Sequence, residues 1–327
     1  MIRLLLAAWL AAWWWCLGLV LGCFTNAWTS RLSGGDWGVP MQAGALAVRR
    51  LLPWLLIALL PIALGHAWLY PWADPAGDWL QGYARPGFVR AWLSPPFWLA
   101  RLAVYALAWW WITRPASLGT KGRAAGALVV HALLTSLAAV DLLMSLVPRW
   151  YSTAFGLVVL SVQALSGAAL VAWLAPPAGL RAAGRVPLSR DLGNLLLTWV
   201  MSWAYLAFMQ FLIIWAENLP AEVRWYVPRL QTGWQAVGVA LVLVQLAIPF
   251  VLLLFRSVKD SPGRLRWVGA LLLAASALDA TWMVLPSVDP HTLHGWWLVP
   301  LVFGAAVLGL FVLLRGRAAH MEWQHAR

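Results

Sequence analysis

Charged residues are scarce in this chain. Asp, Glu, Lys and Arg make up only 10% of its 327 residues, whereas hydrophobic residues make up 63%. A chain with so few polar residues cannot form a single compact domain that dissolves in water. The composition and the mean hydropathy of +0.76 therefore predict an all-α integral membrane protein.

Cysteine is almost absent as well. Cys16 and Cys23 lie about two helical turns apart on one apolar segment, too far apart along the helix axis to bond comfortably with each other. This excludes a disulfide framework and a cysteine-rich metal cluster. The chain also has no Cys-x-x-Cys-His motif, no phosphate-binding glycine loop and no nucleophile elbow. We expect no covalent or metal cofactor here, so any redox cofactor would belong to a partner.

Acidic residues are fewer than basic ones, 11 against 23, which gives a formal net charge of +12. In a soluble protein this balance would indicate nucleic acid, but here the basic residues lie between apolar segments, where positive charge sets membrane orientation. We therefore expect no nucleic-acid partner. The positive-inside rule places the C-terminus in the cytoplasm and the N-terminus outside. A cleaved signal peptide at the first segment is disfavoured, because it would leave Arg31, Arg49 and Arg50 outside.

Nine apolar runs reach the roughly 17 to 25 residues that a membrane helix needs. They cover residues 4–24, 51–72, 96–113, 124–147, 151–174, 192–217, 234–255, 265–286 and 296–314. Proline, glycine and charged residues separate nearly all of them. We predict nine transmembrane helices, with loops on alternating sides of the membrane.

Two aspartates interrupt these runs at matching places. Asp141 and Asp279 each lie seven residues before a proline, Pro148 and Pro286, and fall on the fourth and eighth predicted helices. This repetition predicts two four-helix bundles in tandem, residues 1–148 and 149–287, with a ninth helix and cytoplasmic tail at 288–327. A carboxylate in hydrocarbon costs about 2.5 to 3.5 kcal/mol on the most lenient scale, so both aspartates are candidate functional residues.

Other polar residues share helices with the aspartates or lie at similar depth. His66, Arg101 and Asp141 are all predicted five to six residues below the outer helix ends and could form a quinol pocket, a protonatable step or a structural ion pair. His131 lies about 15 Å below Asp141 on the same helix, a spacing that suits two stations of a water-linked proton path. The different depths of His66 and His131 exclude a bis-histidine haem.

One face of the sixth helix is also polar. Asn194, Thr198, Ser202 and Tyr205 follow each other at helical spacing. Such a stripe can line a hydrated path in the second bundle, or it can join two packed helices. The sequence leaves both alternatives open.

The residues that follow Asp141 resemble the sequence motif of a known protein family. The stretch from Asp141 to Thr153, DLLMSLVPRWYST, followed by Phe155 and Gly156, resembles the signature of the F subunit of alternative complex III, a bacterial quinol:cytochrome c oxidoreductase. Further matches are Leu69–Trp72, Leu93–Phe97, Trp203–Tyr205, Trp215–Pro220 with Glu222, and Asp279 with Trp282. The chain departs from the family in two ways: the usual first of ten helices is absent, and Arg149 stands where histidine is common.

The resemblance implies a membrane anchor similar to the NrfD and polysulfide-reductase subunits, which consist of two four-helix bundles. It implies a cofactor-free subunit in the bacterial inner membrane, beside a homologous membrane subunit, a multihaem cytochrome and an iron-sulfur protein. Asp141 and Asp279 would be protonatable stations, with His131, Tyr205 and Ser202 as neighbours on the path. The alternatives are direct quinol binding at His66, Arg101 and Asp141, and a purely structural scaffold. A free-standing transporter is the least favoured class.

Overall fold

The computed structural model describes residues 1–74, 78–175, 187–289 and 298–315. In this part of the chain the regular secondary structure is helical, and no strand is present. The all-helical fold predicted from composition is therefore confirmed. The predicted cytoplasmic tail after residue 315 and the basic loop around residues 181–185 lie outside the described residues.

The described residues contain nine long helices. They are α1 (Ile2–Ser33), α2 (Gly38–Leu64), α3 (Pro95–Ile112), α4 (Lys121–Leu146), α5 (Phe155–Leu174), α6 (Leu188–Glu217), α7 (Trp234–Leu254), α8 (Pro262–Val288) and α9 (Leu298–Arg315). Among the described residues, seven of them, all except α3 and α9, are long and apolar enough to cross a membrane. The chain thus has the helices of a multi-pass membrane protein, and a total of nine spans stays a prediction.

The second helix begins earlier than the sequence indicates. We predicted residues 51–72, but the helical segment runs from Gly38 to Leu64. Arg49, which was expected in a loop, lies within it and is accommodated at the end of α3. Its Nε donates to the Thr113 carbonyl oxygen at 2.8 Å, and its guanidinium lies 5.0 Å from the Trp110 ring centroid. A positive charge near the helix end therefore did not mark the helix boundary.

Helix α1 forms the centre of the molecule. It is apolar around its whole circumference and mostly buried, as expected for a helix surrounded by other helices. The backbones of α1 and α5 approach so closely at Gly22 and Gly167 that a Cβ atom added to either residue would collide with the backbone of the other helix. Small residues allow this kind of contact between membrane helices.

The remaining helices pack around α1 and α5. Helix α1 contacts α2, α4 and α8, and α5 contacts α6, α8 and α4, while α3 packs on α4 and α7 on α8. By contrast, α6 and α7 expose most of their surface, which is apolar and suited to lipid. The division into two tandem bundles stays a prediction at this stage.

Candidate functional site

Asp141 lies on α4 and is completely buried. Helix α3 supplies the groups that bind its carboxylate. Arg101 donates from Nε to Oδ2 at 2.7 Å and from Nη2 to Oδ1 at 2.9 Å, and the Tyr105 hydroxyl donates to Oδ2 at 2.6 Å. Arg101 and Tyr105 are four residues apart, so their side chains leave the same face of α3. The result is a two-point ion pair, the strongest hydrogen-bonding arrangement for a carboxylate.

Two tryptophans complete the shell around this ion pair. Trp92 donates from Nε1 to Asp141 Oδ1 at 3.1 Å, and Trp98 donates from Nε1 to the Asp141 backbone oxygen at 3.0 Å. The Arg101 guanidinium lies 4.1 Å from the Trp92 ring centroid and donates to the Trp92 backbone oxygen. Each carboxyl oxygen of Asp141 thus accepts two hydrogen bonds. Neither oxygen is left free for a ligand.

The sequence predicted that His66 would join this cluster, and the structure brings together only Arg101 and Asp141. His66 Nδ1 lies 2.8 Å from the Ala63 backbone oxygen. The His66 ring packs 5.9 Å from the Trp98 ring, and no hydrogen bond to Arg101 or Asp141 is described for it. Trp98 therefore separates the imidazole from the carboxylate.

His131 is buried and lies on α4 ten residues before Asp141, nearer the predicted cytoplasmic end of the helix. Its Nδ1 lies 3.1 Å from Thr135 Oγ1, and its Nε2 has no partner among the described residues. Thr135 Oγ1 accepts a hydrogen bond from Trp109 Nε1 at 3.3 Å, and the Trp109 ring packs on Tyr105. The Trp109 indole can donate a hydrogen bond but cannot accept one. The side chains that connect His131 to Asp141 therefore do not form a continuous chain of hydrogen bonds.

Asp279, on α8, has a different environment. It is 2% exposed, and its Oδ2 has no hydrogen-bond partner among the described residues. It lines a cavity of about 20 Å³ between α1, α5 and α8, together with Gln163, Ser166 and Ser276. Both amide atoms of Gln163 also have no partner in this part of the chain. A cavity of this size is large enough for one water molecule, although most of its surface is apolar.

A second buried amide, Gln245, lies on the neighbouring helix α7. It is inaccessible to solvent, both of its amide atoms are unpartnered among the described residues, and its segment, Val242–Ala247, is a π-helix. Helices α7 and α8 meet where Gly238 faces Trp282. Along the helix axes, Gln245 lies about seven residues below Gly238, and Asp279 lies about three residues below Trp282. At roughly 1.5 Å per residue, their depths differ by about 6 Å. π-Helical turns often occur at functional sites because they redirect a side chain.

The polar stripe on α6 faces away from this cavity. Tyr205 is 63% exposed, whereas Trp203, two residues before it, is buried. Ser202 Oγ donates to the Thr198 backbone oxygen at 2.8 Å, a bond within its own helix. The structure therefore places Ser202 and Tyr205 on the outer surface of α6 and not beside Asp279.

Two residues of these sites were not selected from the sequence. Tyr105 follows Arg101 by one helical turn, and this spacing alone could have indicated a second donor to Asp141. Gln163 stands in the middle of the apolar helix α5, where an amide with no partner on its own helix is unusual. Finding its neighbour required knowledge of which face of α5 meets α8.

No group of three or more His, Cys, Asp or Glu residues that could hold a metal ion occurs within the described ranges. Comparison of the chain with models of known protein families and with curated proteins finds no match. The resemblance to the F subunit of alternative complex III therefore depends on the quoted sequence motifs alone.

Proposed function

We propose that the chain is a membrane subunit of a bacterial quinol:cytochrome c oxidoreductase and that it provides a proton path through Asp279 without holding a redox cofactor. The motifs around Asp141 support the family. The observation that carries the proton path is the buried Asp279 carboxyl group, whose Oδ2 accepts no hydrogen bond among the described residues and which lines a small cavity.

The chemistry of a proton carrier favours Asp279 over Asp141. A carboxyl group carries protons only if it can bind and release them without breaking a strong ion pair. Asp141 is held by Arg101 and Tyr105, so protonating it would leave a buried guanidinium without a counter-ion. No such cation is bound to Asp279 among the described contacts. Asp141 is accordingly assigned a structural role, and quinol binding is assigned to a partner subunit.

One amide side chain, that of Gln163, lines the cavity beside Asp279, and a second, Gln245, lies on the adjacent helix α7. Gln163 and Gln245 can each donate and accept a hydrogen bond, which is what a water-filled proton path requires of its walls. His131 offers a further protonatable nitrogen, Nε2, on the α4 side. Because an amide does not itself change charge, Asp279, and not Gln163 or Gln245, holds the proton.

The wider architecture follows from the same family proposal. Corresponding helix pairs pack in both halves, α1 with α4 and α5 with α8, α3 with α4 and α7 with α8, which supports two bundles in tandem. The chain lies in the bacterial inner membrane with its N-terminus outside and its C-terminus in the cytoplasm. Its partners are a homologous membrane subunit, a multihaem cytochrome and an iron-sulfur protein, and quinol is the substrate of the complex.

The test measures the proton yield, defined as the protons moved across the membrane per quinol oxidised in addition to the two that the oxidation itself releases, in membrane vesicles that contain the intact complex. In Asp279→Asn we expect most of the proton yield to be lost while electron transfer from quinol continues, because the amide cannot carry a proton. Asp279→Glu, which keeps a carboxyl group, should restore part of the yield. A normal proton yield in Asp279→Asn would contradict the path.

Asp260→Asn is the matched control, since it removes a carboxylate that lies outside the spanning helices. The vesicles with Asp279→Asn and those with Asp260→Asn should contain equal amounts of assembled complex. If the chain purifies from native membranes without haem and iron-sulfur subunits, the assignment to an oxidoreductase is wrong.

A further inference from the structure

An apolar groove opens at the end of the molecule that contains the connection between α4 and α5. Its volume is about 390 Å³, within the range of binding sites for small molecules. The wall is formed by the short helix Pro86–Trp92, through Phe88, Val89 and Trp92, and by Val140 and Val147. Tyr83, Tyr151 and Trp150 surround the same space, and such aromatic residues are typical of the membrane interface. The groove is therefore suited to the boundary between a hydrocarbon chain and a polar headgroup.

Two residues that line the groove, Arg149 and Trp150, carry hydrogen-bond donors without acceptors. Arg149 Nε is buried and has no partner among the described residues, and the same holds for Nε1 of Trp150, which is 3% exposed. A buried donor without an acceptor costs free energy, and a cation costs more. No carboxylate is paired with Arg149 among the described ion pairs, so its half-buried guanidinium is complementary to an anionic group at the groove.

The backbone holds Arg149 in this position at a cost. Its φ of 71° lies in the left-handed region, which an arginine rarely adopts. The Arg149 backbone N–H donates to the Tyr83 hydroxyl at 2.6 Å, and this bond stabilises the turn. A strained backbone conformation at a charged residue that lines a groove is a feature often found at binding sites.

The residues that line the groove favour a phospholipid over a quinol. Oxidation of a quinol needs a group that accepts its proton, and no described residue that lines the groove is a carboxylate or a histidine. The Asp141 carboxylate lies behind Trp92 with all its hydrogen bonds made. A phosphate diester, in contrast, needs only donors and positive charge.

We propose that this groove binds a membrane phospholipid, with the phosphate at Arg149 and Trp150 and an acyl chain along Phe88, Val89 and Val140. This site is separate from the Asp279 cavity and does not depend on the proton path. It requires only that the chain lies in a phospholipid membrane.

Native mass spectrometry of the purified protein, titrated with phosphatidylglycerol in detergent, tests the proposal. We expect one tightly bound phospholipid on the wild type, and Arg149→Gln should weaken its binding about tenfold or more, since a charge-assisted contact is lost. Glutamine tolerates the left-handed turn no worse than arginine, so the backbone penalty is unchanged. Arg149→Lys should keep part of the affinity. Arg224→Gln removes an exposed arginine between α6 and α7, outside the groove lining, and should leave binding unchanged.

Val140→Phe gives an independent test, because it fills the groove and leaves the Arg149 turn intact. It should also abolish the bound phospholipid. Equal binding by wild type and Arg149→Gln would overturn the proposal, and so would equal binding by Val140→Phe. A quinone found in place of the phospholipid on the wild type, and absent from Val140→Phe, would overturn it as well.

Discussion

Asp141 and Asp279 stand at the same distance from a proline and are both buried, yet their surroundings are opposite. Asp141 accepts four hydrogen bonds, two of them from Arg101. Asp279 lines a small cavity, and its Oδ2 accepts no hydrogen bond among the described residues. Burial of a carboxyl group in a membrane helix is therefore not sufficient evidence of a functional role. The donors on the neighbouring helix decide whether the group fixes the structure or remains available for chemistry.

The largest effect is expected when the ion pair of the first site is broken. Asp141→Asn leaves the Arg101 guanidinium buried without a counter-ion, which should destabilise the protein by about 3–5 kcal/mol. Asp279→Asn removes no ion pair and should change stability far less. Thermal unfolding of the three proteins in detergent measures the difference. Equal losses in the two variants would show that the two environments are not distinct.

A smaller effect is expected when one neutral donor is removed from the same site. Tyr105→Phe deletes the hydroxyl that donates to Asp141 Oδ2, and a hydrogen bond to a charged group contributes roughly 1.5–3 kcal/mol. Tyr205→Phe is the matched control, since its hydroxyl lies on the exposed face of α6 and should contribute nothing measurable. Urea or thermal unfolding of both variants compares them. A stable Tyr105→Phe protein would mean that Arg101 alone satisfies the carboxylate.

Some of this asymmetry could be predicted from the sequence and some could not. Apolar runs gave the helices, although the start of α2 at Gly38 was missed because Arg49 is tolerated inside the helix. The pairing of Arg101 with Asp141 follows from their similar predicted depth. Helix α7 carries no lysine or arginine, so the sequence also indicates that this helix supplies no cation to Asp279.

The rest depends on how the helices rotate against each other. The period of a helix places Ser202 and Tyr205 on one face, but it does not show whether that face meets protein or lipid when both faces are largely apolar. Helix α1 is apolar all round, and its position at the centre was equally hidden. Gln163 reaches the Asp279 cavity because α5 packs on both α1 and α8, which is a property of the tertiary structure.

The smallest effect on stability is expected at a third carboxylate, Asp260. This residue forms an ion pair but is not buried, so it shows the effect of pairing without burial. Arg190 binds it at two points, Nε to Oδ1 and Nη2 to Oδ2, each at 2.6 Å, but both side chains are about one third exposed. The hydrogen bonds from Arg190 hold the pKa of Asp260 below its usual value. The pair therefore contributes stability at neutral pH, and this contribution is lost as the pH falls through the lowered pKa.

Solvent screens an exposed ion pair, so Asp260→Asn should shift the unfolding temperature only slightly at neutral pH. The difference from wild type should vanish in acid, where Asp260 is protonated in both the folded and the unfolded protein. Thermal unfolding at the two pH values measures this shift. If Asp260→Asn lowered the unfolding temperature as much as Asp141→Asn, pairing and not burial would set the cost. The contrast between Asp141 and Asp279 would then reflect only the presence of an arginine.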